Sequence, residues 1–295
     1  MSQSSPFVPA TAAAMGRRSR RPPLALCLLL PALLLLGFVF LYPMLDIVLR
    51  SIAAPRGGVS LAHYGKIIAQ PAYLRVFLIT FEIALSVTVA TLLLGYPLAY
   101  VLVTARRGIA AAIMACVLLA FFTDVLVRTY AWLVILGPEG ALNQVLRALG
   151  SAPLNLLYNR YGVLLGMCYA LLPYMVLTLY SVMRGIDRNL LQAARNLGAS
   201  DWRAFRHVFL PLSLPGIAGG SLLVFILAIG YFITPRLLGG AGDQMIAMVI
   251  EQQVELGVDW GFASALAIVL LALTILGFLL YDRLVGLKSL FESKI

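Results

Sequence analysis

Residues 192–211 read QAARNLGASDWRAFRHVFLP. The chain on either side is almost wholly apolar, yet this stretch carries Arg195, Asp201, Arg203 and Arg206. Its spacing predicts two short helices joined by a tight turn. Asp187 can cap a helix through about Leu197, with Leu190, Ala194 and Leu197 on one face at i, i+4 and i+7. Gly198 supplies the left-handed residue that ends a helix cheaply. Ser200 can cap a second helix, about 201–210, in which Trp202, Phe205 and Phe209 form an apolar stripe and Arg203 and Arg206 keep the other side basic. Pro211 and Pro215 are expected to stop that helix and start the next element.

The surroundings set the class. The 295-residue chain is 62% hydrophobic and 12% charged, whereas soluble domains are roughly 25% charged. A membrane protein follows before any motif is read. The formal charge of +10 would point to nucleic acid in a soluble chain. Here the basic residues flank apolar runs, so topology accounts for them and no nucleic-acid partner is expected. Cys27, Cys116 and Cys168 lie inside apolar segments, and His63 and His207 lie in different loops. Neither a disulfide framework nor a histidine-based catalytic or metal site is expected.

A bilayer core takes about 20 apolar residues of helix. Six candidate spans appear, about 24–49, 73–104, 109–136, 161–183, 212–235 and 260–285. Residues 1–23, rich in Ser, Ala, Pro and Arg, are expected to be disordered. The apolar run after Arg21 is too long for a signal peptide and reads as a retained first span. Residues 286–295 form a tail. Fourteen Lys and Arg residues fall on the side of both termini and of the 184–211 loop, against seven on the other side. That bias predicts cytoplasmic termini and a cytoplasmic 184–211 loop. Three longer loops, 50–72, 137–160 and 236–259, then face outward, the last with a helix over about 244–256 capped by Asp243. No internal repeat is evident.

At this point the 192–211 segment acquires a likeness. It resembles the EAA motif loop of binding-protein-dependent ABC importer permeases, written EAA, three residues, Gly, nine residues, then Ile, any residue, Leu, Pro. This chain has Gln192-Ala193-Ala194, Gly198 and Val208-Phe209-Leu210-Pro211 at that spacing, with Gln for Glu and Val for Ile. Further stretches, among them LAHYGKII, FFTDVLVRTYAW, YSVMRGIDRNLLQAARNLGAS and FITPRLLGG, are similar to the spermidine/putrescine-type branch of that family. The resemblance implies an all-α, six-span type I importer permease of the bacterial inner membrane, working by alternating access. It implies that the short helix after Gly198 is a coupling helix seated in a groove of a cytoplasmic ATPase. Gln192, Ala193, Ala194, Gly198, Ala199, Ser200, Asp201, Trp202, Arg203, Phe205 and Arg206 would then form the ATPase-coupling surface, with Trp202 and Phe205 as apolar anchors. The implied partners are an ABC ATPase dimer, a second permease that is a different chain, an external solute-binding protein and membrane lipid. This chain would bind no cofactor, since ATP and Mg belong to the ATPase. A polyamine is the implied solute, with an opine, an aminophosphonate or a ferric complex as the alternative. A basic, aromatic helix lying on anionic lipid is the competing account of 201–210.

Charges at membrane depth are costly and mark candidate sites. Glu82 lies in the second span, and Asp124 and Arg128 lie in the third, four residues apart. On one continuous helix the latter two could neutralise each other. Alternatively Asp124, with Tyr130 and Trp132 near by, could line a passage for a cation, since a carboxylate beside aromatic faces suits an ammonium group. Arg128 would suit a carboxylated or phosphorylated solute. Tyr174 and Tyr231 are further candidates for the pathway, though aromatic belts account for most such residues.

Gly239-Gly240-Ala241-Gly242 lacks the GxxxxGK[ST] pattern, so it is not a phosphate loop, and the chain has to borrow its energy. No cluster at acid–base or metal spacing supports an enzyme. An ion-coupled secondary transporter remains the alternative class, but it would be expected to offer repeats or more intramembrane carboxylates.

Overall fold

The computed structural model describes residues 24–53 and 58–285. The predicted disordered segment 1–23 and the tail 286–295 lie outside the described residues. The described chain is helical, with one isolated bridge between Ala53 and Val59. In order, α1 (Leu24–Ser51), α2 (Ala62–Ala69) and α3 (Pro71–Thr104) are followed by α4 (Arg107–Phe122) and α5 (Val125–Leu136). Then come α6 (Ala141–Ala148), α7 (Arg160–Arg184), α8 (Arg188–Asn196) and α9 (Asp201–Ala204). A π-helical turn (Phe205–Phe209) leads into α10 (Leu210–Ile229), α11 (Ile233–Leu238), α12 (Ile246–Glu255) and α13 (Trp260–Val285). Six stretches among the described residues are long and apolar enough to cross a membrane.

The chain divides between Asp46 and Ile47 into two units. The first contributes most of α1, whose side chains from Leu29 onward are largely exposed and apolar, as with Leu33, Leu34 and Leu35. The second unit is organised on α3, α7 and α10. Ile83, Ala84 and Val87 of α3 pack with Met167, Leu171, Met175, Val176 and Leu179 of α7 and with Val224 and Ala228 of α10. Small residues let these helices approach closely, as membrane bundles require. A Cβ on Gly220 would lie 2.8 Å from Met175 Sδ, and one on Gly95 3.1 Å from Met175 Cγ. A second cluster joins α2, α3, α12 and α13 through Ile67, Phe77, Ile246 and Phe262.

Four sequence expectations need correction. The third span, 109–136, is not one helix, because the chain breaks at Thr123 and Asp124 between α4 and α5. The helix at 201–210 does not stop at Pro211. It passes through the π-helical turn directly into α10, with Leu210 N–H donating to Phe205 O five residues back. Proline lacks an N–H and its ring crowds the carbonyl four residues behind. A widened turn relieves that crowding, so the helix continues. That span also ends at Ile229 and not at 235, with α11 beginning after a short break. Finally, Asp243 does not cap the helix of the last long loop. Its Oδ2 accepts from Gly240 N–H at 3.2 Å, closing a turn. The first N–H of α12, on Ile246, donates instead to Thr80 Oγ1 of α3 at 2.8 Å.

Candidate functional site at the 184–211 loop and the broken span

The loop folds by local rules. Asp187 Oδ1 accepts from Asn189 N–H at 2.9 Å, which starts α8. At its end Gly198 adopts φ +87°. Gly198 N–H donates to Arg195 O at 2.9 Å and Ala199 N–H to Ala194 O at 3.0 Å. Those two bonds are the paired closure of a Schellman turn, which needs a left-handed residue at this position. Ser200 Oγ then accepts from Arg203 N–H at 3.4 Å to start α9, and Arg195 Nε lies 2.8 Å from Asp201 Oδ1 across the turn.

The apolar face of α8 at 190, 194 and 197 is not turned inward as a whole. Leu191 packs on the core and Ala194 is half-buried, whereas Leu190 is 46% and Leu197 89% exposed. Trp202, beyond the turn, is 66% exposed. An apolar patch thus sits on a loop otherwise dressed with the exposed Gln192, Ala193, Ser200, Asp201, Arg203 and Arg206, while Ala199 is half-buried. Phe205 is not a free anchor. Its ring stacks on Trp202 (centroids 5.6 Å apart) and on Phe209 (5.9 Å), and meets Tyr100 of α3 edge-on at 5.5 Å. Tyr96, also on α3, bonds Ser213 of α10 through its hydroxyl at 2.9 Å. Tyr96, Tyr100, Trp202 and Phe205 border a pocket of about 370 Å³. An aromatic ladder therefore links the exposed Trp202 to the central helix α3. Tyr100 was legible in the sequence only as one of many tyrosines.

The candidate pathway residues separate into two places. Glu82 is 2.8 Å from Arg160 Nη2 at the start of α7, at an angle too poor for a hydrogen bond, so the two form a charge contact. The partner was missed because only folding brings residues 82 and 160 together. Asp124 and Arg128 do not pair. Asp124 is the N-cap of α5, its Oδ1 accepting from Leu126 N–H at 2.8 Å and Val127 N–H at 3.4 Å. Arg128 is buried and donates to three carbonyls, Ala120 O (2.6 Å), Thr123 O (2.5 Å) and Ala170 O (3.0 Å). The pairing expected on one helix face fails because the helix is broken there, and each group serves backbone left open by the break. Around Arg128 lie Tyr169, with the guanidinium carbon 5.7 Å from its ring centre, and Trp132, edge-on to Tyr169 at 5.7 Å. Tyr231 is half-buried and packs on the central core cluster. Tyr174 is half-buried and packs on Phe121 of α4 at 5.1 Å, whereas Tyr130 is 57% exposed.

Long apolar helices on a three-helix core, with a closed helix–turn–helix at one end, are the build of a transport-system membrane subunit. The chain belongs to the family of the binding-protein-dependent transport system inner membrane component, which it matches over residues 25–287. It is 38% identical over 216 residues to the spermidine/putrescine transport system permease protein PotB of Haemophilus influenzae, covering 72% of this chain and 76% of that one. It is 36% identical over 226 residues to PotB of Escherichia coli, covering 76% and 82%. The fold matches a chain in the crystal structure of a bacterial ABC transporter involved in the import of the acidic polysaccharide alginate. That match has a TM-score of 0.72 at 19% identity, over 89% of this chain and 95% of the other. The protein is a multi-pass inner-membrane permease subunit of an ABC importer.

Proposed function

We propose that this chain carries a polyamine across the inner membrane, delivered by an external solute-binding protein and driven by a separate ATPase dimer. The observation that carries the coupling role is the 184–211 loop. Its Schellman turn is closed by two backbone bonds, and it presents Leu190, Leu197 and Trp202 to solvent. Exposed apolar groups of this kind on a preformed turn suit a protein groove. On this reading the loop and both termini are cytoplasmic, in line with the basic residues on that side. Trp202 and Leu197 enter the ATPase groove, and Arg203 and Arg206 meet acidic groups at its rim. ATP and Mg are held by the ATPase, and this chain binds no cofactor. Movement of the loop reaches α3 through Trp202, Phe205 and Tyr100 as a rigid-body displacement.

Glu82 is 62% exposed although it lies about 17 Å along α3 from Pro71, deep enough to reach hydrocarbon. A charge there is not left to lipid. The second permease, a different chain, or the path between the two subunits covers this face. The solute class rests on the names of the two PotB relatives. It is consistent with Arg128, because that charge is turned onto helix carbonyls and does not confront a cationic solute.

The test is titration calorimetry of the companion solute-binding protein against putrescine and spermidine, with amino-acid, phosphonate and sugar-derived ligands alongside. Uptake of the tight ligand into proteoliposomes bearing this chain then follows. Tight binding and uptake of a polyamine alone is expected. Tight binding of an anionic ligand overturns the solute class.

A further inference from the structure

Two of the three carbonyls that Arg128 engages lie where a helix ladder is interrupted, and the third lies beside a proline opening in another helix. Ala120 and Thr123 are at the end of α4, where the break leaves the last carbonyls without following N–H groups. Val127 N–H, which a continuous helix would give to Thr123 O, is directed at Asp124 Oδ1 instead. Ala170 is in α7, three residues before Pro173, whose missing N–H leaves the adjacent carbonyl, Tyr169 O, without its helical donor. Arg128 is 8% exposed and its Nε is buried with no protein acceptor, so the guanidinium is held by its two Nη groups. Its charge sits at the negative, C-terminal end of α4. A planar fork spreads its donors toward acceptors on two helices in fixed directions, whereas an ammonium gathers its three donors at one point. The same residue lines a pocket of about 200 Å³ together with Thr123, Trp132 and Tyr169.

We propose that Arg128 is a positioning residue of the translocation path. It ties the end of α4 to the proline turn of α7, and so holds Trp132 and Tyr169 as paired aromatic walls of this pocket without itself binding solute. The proposal rests on the importer reading above. The break at Asp124 is then a built joint, in which Asp124 satisfies the N–H groups on one side and Arg128 the carbonyls on the other.

The experiment uses the assembled importer in proteoliposomes, with its ATPase, second permease and loaded solute-binding protein, and putrescine or spermidine as the probe. Arg128→Lys and Arg128→Gln are compared with the wild type, all per assembled complex. In both variants uptake per ATP hydrolysed is expected to fall about ten-fold, the scale of losing hydrogen bonds to a charged donor. The KM for the loaded binding protein should stay within about two-fold, because Arg128 makes no solute contact on this account. Amide exchange at residues 126–128 and at 171, 172, 174 and 175 should quicken about ten-fold, as local opening becomes easier. Rescue by Lys would show that charge alone suffices and would overturn the proposal. So would a raised KM with unchanged exchange, which would make Arg128 a solute ligand. Unaltered uptake and exchange in Arg128→Gln also refutes it. If neither variant assembles, the residue is structural only and the proposal fails. A wild type that takes up no polyamine removes the solute class and leaves the exchange result standing.

Discussion

Replacing Gly198 with Ala should loosen the coupling loop by an amount set almost wholly by backbone conformation. Gly198 sits at φ +87°, and a Cβ built there would meet nothing within 4 Å. No steric clash adds to the cost, and what remains is the penalty of a left-handed L-residue, roughly 1–2 kcal/mol. The Arg195–Asp201 pair cannot make up the difference. Both side chains are more than half exposed, and such pairs contribute less than about 1 kcal/mol. The closed turn should therefore lose about 5- to 30-fold in population relative to open forms. If the ATPase recognises only the closed turn, its affinity falls by the same factor. The assay is binding of the purified ATPase to this chain in lipid nanodiscs, with amide exchange at Gly198 and Ala199, the two donors of the closure, read in parallel. Gly198→Asn is the control, because Asn tolerates the left-handed region and should recover much of the loss. Wild-type affinity and exchange in Gly198→Ala would refute the argument. An equal loss in the Asn variant would refute it as well, because backbone strain would no longer be the cause.

Trp202→Ala should weaken ATPase binding by about 2 kcal/mol, as expected of an aromatic anchor, while thermal unfolding of the isolated chain shifts little because Trp202 is 66% exposed. A large loss of thermal stability would reassign Trp202 to the fold. Asp124→Asn should preserve uptake, since Asn caps a helix about as well as Asp, whereas Asp124→Ala should cost about 1 kcal/mol in stability. Abolished uptake in the Asn variant would instead make Asp124 a pathway acid. Gly162→Ala places a Cβ 2.3 Å from Leu156 O, a backbone atom that cannot swing aside. It should destabilise the chain by about 1–3 kcal/mol, seen as a lower unfolding midpoint in detergent.

What could be read from the residues alone divides by range of interaction. The Gly198 turn was legible because its two hydrogen bonds, its left-handed residue and its caps all lie within a few residues of one another. The same holds for Asp187 and Ser200 as caps. The inward face of α8 was not legible, because Leu190 and Leu191 are equally apolar and which one meets the core is decided by the neighbouring helices. The π-helical turn is a similar case. Pro211 signals a helix stop, yet Phe205 and Phe209 pack on Tyr100 and hold the chain helical through the proline. Arg160 as partner of Glu82, and Thr80 as the donor's acceptor at α12, are long-range facts with no local mark.

Asp124 and Arg128 show how a correct spacing can carry a wrong inference. Four residues apart is the distance of an ion pair only if the helix between them continues through both. Each residue had a competing local use. Asp is among the best N-caps and a poor residue inside a helix, because its carboxylate competes for backbone N–H groups. Thr123 before it still completes the ladder of α4, its N–H bonded to Leu119 O at 3.1 Å, so the interruption begins at Asp124. An Asp in mid-span therefore argues for a break, and a break in a low-dielectric setting demands a donor for the carbonyls it frees. Arg128, one turn beyond, is that donor. The pair is complementary after all, but through the backbone of the broken helix and not through direct contact, which is why removing either member should be felt at the joint before it is felt by any solute.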